Sequence, residues 1–213
     1  MTHSTKDWHE WHSGYHEEDS PLKRRLAVVQ AQLRNALPAE LNGPLQVVSV
    51  CAGQGRDIIE VLAAYPHAHR VKARLVELDE RNVAEARKRA NEAHLGQVEI
   101  ITGDAALLSA YAGAVPADIV LVCGVFGNIS ERDIFHTIDV LPQFCRNAAT
   151  VIWTRSRRVP DITPAIRGYF EAHRFTEVDF IAPEGVLFSV GVNRYDGESV
   201  ALRRDEKLFT FLR

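Results

Sequence analysis

The 213-residue chain has few of the features that mark special classes of protein. It has only three cysteines, Cys51, Cys123 and Cys145, far apart and without paired spacing. That excludes a disulfide framework and a cysteine-based zinc site, and it fits a reducing compartment. No apolar run approaches the roughly 20 residues of a membrane span. The polar, aromatic N-terminus does not read as a secretory signal, so a cytoplasmic location without membrane attachment is the expectation. Charge is also scarce in one sense: the net value of −3 argues against a generalised nucleic-acid binder. Repeats, low-complexity tracts and linkers are missing as well. What remains is an ordinary globular composition, 46% hydrophobic and 25% charged, in a length that suits one domain with its own core. Residues 1–213 are therefore read as a single domain.

Against that plain background the N-terminus stands out. Trp8, His9, Trp11, His12, Tyr15 and His16 crowd into nine positions without a clean period. The segment reads either as an arm packed on the surface or as a lid that keeps water from a ligand. His9, His12 and His16 have a spacing compatible with a metal site but lack the acidic partner arrangement of zinc helices, so no metal is expected. Ser20-Pro21 then supplies a helix start, and Leu22, Leu26, Val29, Leu33 and Leu37 form one apolar face up to Pro38. Lys23, Arg24, Arg25 and Arg34 around it read as a solvated face. Residues 1–43 thus form an aromatic arm and helical extension.

From Gln46 onward, strand and helix patterns alternate. Gln46–Val50, Val71–Leu78, Gln97–Thr102, Asp118–Cys123 and Ala149–Thr154 read as strands. Helical patterns fall between them, and Thr176–Ala182 and Val186–Tyr195 follow as two further strands. Lys207–Leu212 adds a final edge-strand candidate. Alternation of this kind predicts an α/β, doubly wound, mostly parallel seven-stranded sheet with helices on both faces.

In such a sheet, ligands bind beyond the carboxyl ends of the strands. The first strand runs into Ala52-Gly53-Gln54-Gly55, where glycines let backbone approach a ligand and a helix start offers unpaired N–H groups. The second ends in Glu77-Leu78-Asp79, the third in Thr102-Gly103-Asp104-Ala105, and the fourth in Cys123-Gly124-Val125-Phe126-Gly127-Asn128. Any one of these is an ordinary turn or cap; in register they make a cofactor cleft.

From Val47 to Tyr195 these residues resemble the class I S-adenosylmethionine-dependent methyltransferases. The resemblance implies that Ala52, Gly53 and Gly55 cradle the methionine part of S-adenosylmethionine. It implies that Glu77 holds the ribose, Leu78 touches adenine, and Asp104 with the Ala105 N–H meets the adenine edge. The backbone at Gly124 would face the methionine amine, and Phe175–Tyr195 would form the C-terminal antiparallel hairpin. Two positions depart from the pattern, Ser49 where an acid is usual and Cys51 where a glycine is usual. Another carboxylate or carbonyl must then meet the cofactor's ammonium, and Asp57 is one candidate besides its role as a helix-start acid. Cys51 preserves the turn only if its backbone avoids the left-handed region.

The implied activity is methyl transfer to a small, acidic or polar acceptor. The candidate bases or orienting groups are Tyr15, His16 and His12. Asn128 is a candidate for orienting the acceptor and Arg155, with Arg157 and Arg158, for binding its negative charge. A nicotinamide-dependent oxidoreductase and a non-catalytic S-adenosylmethionine-binding protein are the competing readings. Oligomeric state leaves no trace in the sequence.

Overall fold

The computed structural model describes residues 7, 10, 14, 15, 17 and 20–212. Its framework is a seven-stranded sheet of order β3-β2-β1-β4-β5-β7-β6. The strands are β1 (Leu45–Val50), β2 (Val71–Glu77), β3 (Val98–Thr102), β4 (Ala117–Val122), β5 (Cys145–Ser156), β6 (Phe175–Ile181) and β7 (Phe188–Tyr195). The first five pair in parallel, and β7 runs antiparallel to both β5 and β6. Chain order therefore reverses between β1 and β4, which opens a crevice at their carboxyl ends.

The strand residues sort the helices onto two faces. On β1, Val48 and Val50 enter a core with α4 (Glu131–Val140) and α5 (Thr163–Ala172), while Val47 enters the opposite core. That second core holds α1 (Pro21–Ala36), α2 (Arg56–Ala63) and α3 (Glu80–Glu92), through Leu33, Ile58, Leu62, Val83 and Ala86. Strands covered on both faces have no solvent side, hence the mostly apolar, Val- and Ile-rich sequences of β1 and β4.

Helix starts follow local chemistry. The Ser20 hydroxyl accepts the Lys23 N–H at 3.1 Å and Pro21 occupies the first turn of α1; Ser130 accepts the Asp133 N–H at 3.0 Å to start α4. α3 begins at Glu80 because Asp79 caps it by accepting the Arg81 N–H. Lys207–Leu212 does not add an eighth strand. Lys207 and Phe211 make single antiparallel bridges to Leu107 and Ile129, and Leu208 and Phe209 bury between them. The tail thus crosses the ends of β3 and β4 as a strap.

Candidate active site

The loop after β1 is held in place from β2. Glu77, at the end of β2, accepts the Gly53 N–H at 2.8 Å through one carboxylate oxygen and the Asp79 N–H at 2.9 Å through the other. The Ala52 N–H reaches Val76 O at 3.0 Å, and the Gly55 N–H closes the turn on Ala52 O at 2.9 Å. Cys51, Gly53 and Gly55 all lie at positive φ, 54°, 55° and 65°. The condition read from the sequence, that Cys51 stay out of the left-handed region, is not met: the turn places a cysteine where glycine is the unstrained choice.

Around this loop lies a cavity of about 350 Å³. Ala52, Gly53, Glu77, Leu78, Asp104, Ala105 and Gly124 all line it, so the ends of β1, β2, β3 and β4 converge on one space. Gly55 does not line it. Its role is internal, since a Cβ there would press on Ile59 and Leu75 at 2.7 and 2.9 Å while φ stays at 65°. Ser49 is buried in the sheet and lines neither this cavity nor its neighbour.

Among the described residues, four carboxylates line the cavity, those of Asp57, Glu77, Asp79 and Asp104, against the two guanidinium groups of Arg25 and Arg56. Asp79 is engaged by Arg81 at 2.6 Å, whose hydrogen bonds hold its carboxyl below the ordinary range. Asp104 accepts the Ala106 N–H at 2.9 Å and pairs with Lys207 at 3.2 Å. Burial raises the Glu77 carboxyl above its ordinary value, and the three backbone N–H donors around it oppose that shift. Asp57, in the first turn of α2, is pushed up to about 6 by burial, against the pull of its hydrogen bond from the Ile58 N–H. Asn82 adds a buried amide: its Oδ1 takes a long contact from Gln54, and its Nδ2 has no partner among the described residues. Burial drives the thiols of Cys51 and Cys123 well above their usual range, which removes both as nucleophiles at neutral pH.

Tyr15 lines the same cavity, with the Arg56 guanidinium 5.1 Å from its ring centre. Burial raises its phenol pKa, so it stays protonated and suits donation better than proton abstraction. His12 and His16 lie outside the described residues. Arg25, read from sequence as part of a solvated face, is instead half-buried and lines this cavity and the next; Leu26 lines the first and Leu22 the second. Phe211, from the C-terminal strap, is a further wall that sequence patterning did not reveal.

A second cavity, of about 860 Å³, shares Gly124 and Arg25 with the first and holds Asn128 and Arg155. Asn128 donates to Gly124 O at 2.6 Å, and Gly124 donates to the buried Thr154 hydroxyl at 2.8 Å, which pins the loop after β4 onto β5. Arg155 donates through Nη1 to Phe126 O at 2.6 Å. Arg157 does not line the cavity and is held by Pro183 O and Val186 O, whereas Arg158 lines it.

The sequence matches no protein-family model and no curated protein. Its fold does have counterparts. Magnesium protoporphyrin IX methyltransferase from Synechocystis PCC 6803, solved with bound S-adenosylmethionine, superimposes with a TM-score of 0.65 at 15% identity, covering 92% of this chain and 100% of that one. An O-methyltransferase family protein from Burkholderia thailandensis gives 0.63 at 14% identity over 82% of this chain; the match spans 56% of its own length. The B. subtilis M1A22 tRNA methyltransferase gives 0.56 at 15% identity, over 82% and 66%. With its seven strands in this order and its antiparallel C-terminal hairpin, the chain has the class I S-adenosylmethionine-dependent methyltransferase fold.

Proposed function

We propose that this protein transfers a methyl group from S-adenosylmethionine to a small acidic or polar acceptor. The observation that carries the reading is the convergence of four successive strand ends on one acid-lined cavity, at the point where strand order reverses. The donor set suits the cofactor. Ionised carboxyls accept hydroxyl and ammonium hydrogens, and a carboxylate with about four lone-pair sites, as at Glu77, has acceptor capacity beyond its three backbone donors. In this reading Glu77 takes the ribose hydroxyls and exposed Leu78 offers an apolar wall to the adenine. Asp104 and the Ala105 N–H meet the adenine edge, while Ala52, Gly53 and Gly124 bring backbone up to the methionine part. Asp57 is the carboxylate for the ammonium, since Ser49 supplies no charge.

When bound, S-adenosylmethionine supplies an electrophilic methyl on a sulfonium sulfur, open to in-line displacement. The protein's own work is then alignment and exclusion of water. Tyr15 and Phe211 wall the cavity, and Arg25 stands where the two cavities meet. The structural neighbours do not choose the acceptor, because they include a magnesium protoporphyrin IX methyltransferase and a tRNA methyltransferase.

Titration calorimetry with S-adenosylhomocysteine tests the assignment. Saturable binding is expected, and Glu77→Ala should weaken it by about 1.5–3 kcal/mol, the range for hydrogen bonds to charged groups. Heat from a nicotinamide dinucleotide with none from S-adenosylhomocysteine would overturn the reading.

A further inference from the structure

The second cavity has a chemistry that the first does not. Among the described residues, Arg25, Arg155 and Arg158 line it against a single carboxylate, Glu131, whereas carboxylates outnumber arginines in the first. Arg155 is part-buried and forms no ion pair with a described residue. With Nη1 donating to Phe126 O, the other edge of its guanidinium carries a buried Nε without a partner among the described residues. Desolvation lowers its pKa, and Asp161 and Glu131 offset this only through space. Asp161 already accepts two hydrogen bonds from Thr163, at 2.9 and 2.8 Å. Held by its bond to Phe126 O at the cavity wall, the Arg155 guanidinium offers a fixed positive charge that attracts a carboxylate.

The remaining walls are apolar and face outward. Val159 is 96% exposed, Leu212 63% and Leu187 55%, and all three line this cavity beside Leu22 and Ile162. Large aliphatic side chains gathered at the mouth of a cleft mark a surface that an apolar ligand covers. The volume of about 860 Å³ falls within the range of small-molecule sites.

We infer that the acceptor is an amphipathic carboxylate, its charge clamped by Arg155 and Arg158 and its apolar body laid against Leu22, Val159, Leu187 and Leu212. This rests on the methyl-transfer reading for the word acceptor, but the site itself is defined by its own residues. Gly124, shared by both cavities, fixes where such a molecule abuts the cofactor cleft.

Equilibrium binding of 2-naphthoate, 2-naphthylmethanol and acetate to the full chain, with and without saturating S-adenosylhomocysteine, decides it. The expected order is 2-naphthoate tightest, by at least tenfold over the uncharged alcohol, with acetate too weak to saturate. Arg155→Gln should remove most of the tenfold preference for the carboxylate while leaving the alcohol and S-adenosylhomocysteine unaffected. Val159→Ser, at an exposed position where folding is not at stake, should weaken naphthoate and alcohol alike. Equal binding of naphthoate and alcohol, or a naphthoate affinity indifferent to Arg155→Gln, overturns the inference. If naphthoate binds as expected but S-adenosylhomocysteine does not bind at all, the anion site stands and the methyl-transfer reading falls.

Discussion

Cys51 and Asp57 bracket the glycine loop, and each holds a state its residue type resists. A left-handed backbone costs a side-chain-bearing residue roughly 1–2 kcal/mol, and Cys51 sits there at φ 54°. Its Cβ and sulfur pack against the core that contains Val50 and Ala105, which recovers part of that cost. Cys51→Gly should therefore change stability by less than about 1 kcal/mol, because the strain relief is offset by the extra chain entropy of glycine and the lost side-chain packing. Cys51→Val, β-branched in the same conformation, should lower it, and urea denaturation of both variants checks the contrast. Asp57 is a matter of charge. Its folded-state value of about 6 lies above the roughly 3.9 of an unfolded aspartate, so the folded protein retains a proton that the unfolded chain has released. The stability from that proton is complete below the unfolded value and is lost as pH rises through about 6. Asp57→Asn should then stabilise the protein at pH 7.5 by about 2 kcal/mol, allowing for the helix-start attraction it gives up, with the gain shrinking toward pH 4. Denaturation midpoints across that range test it, and a gain that is constant with pH would show that Asp57 is not the titrating group. The same proton should compete with an ammonium ligand, so that S-adenosylhomocysteine affinity falls below pH 6 in the parent and not in Asp57→Asn.

The elements themselves were largely legible, and for local reasons. Ser20-Pro21 and Ser130 announce helix starts because a hydroxyl capping an N–H is a contact within four residues. The strands β1 and β4 show themselves by mostly apolar, Val- and Ile-rich sequences that only a doubly covered sheet accepts. What stayed hidden depends on distant partners. Lys207–Leu212 has a strand-like pattern, yet its neighbours are the loops after β3 and β4, which leave room for single bridges only. Arg25 sits among charged residues in sequence, but one turn of α1 faces the crevice rather than solvent. Gly191 is another such case. On β7 it stands opposite Trp153 of β5, and a Cβ there would fall on the indole ring itself. That ring stacks on Phe170 at 5.5 Å and donates to the buried Asn193 at 2.8 Å. Gly191→Ala must displace it, with an overpacking cost of about 3 kcal/mol, at the upper end of the usual range. Thermal denaturation followed through tryptophan fluorescence would show both the lost stability and the altered ring environment. A variant as stable as the parent would mean the hairpin shifts freely against β5.

At the scale of the molecule, the sheet and the cavities obey different economies of information. The strand ends that build the cofactor cleft come from four segments whose register follows once the alternation is recognised, so Glu77, Asp104 and Gly124 could be nominated together. The walls that close it come from the two ends of the chain, Tyr15 from one and Phe211 from the other, and no periodicity links either to the cleft. Among the described residues, the hydrophobic layers that hold the fold together run from Val29 to Phe209 and include none before α1. Stability and ligand enclosure should consequently separate. Removing residues 1–16 spares Ser20, which caps α1, though it deletes the Gly14 carbonyl that the Ser20 hydroxyl reaches at 2.5 Å. The truncated chain should melt within a few degrees of the parent, a shift that corresponds to about 1 kcal/mol or less for a domain of this size. Its complex with S-adenosylhomocysteine should dissociate faster, because the Tyr15 wall and its contact with Arg56 are gone. Stopped-flow displacement on the truncated chain and on Tyr15→Ala distinguishes the contributions: matching off-rates assign the enclosure to Tyr15, and a faster truncation assigns the remainder to the other residues removed. An unchanged off-rate in both would place the arm outside the binding step and withdraw Tyr15 from the site.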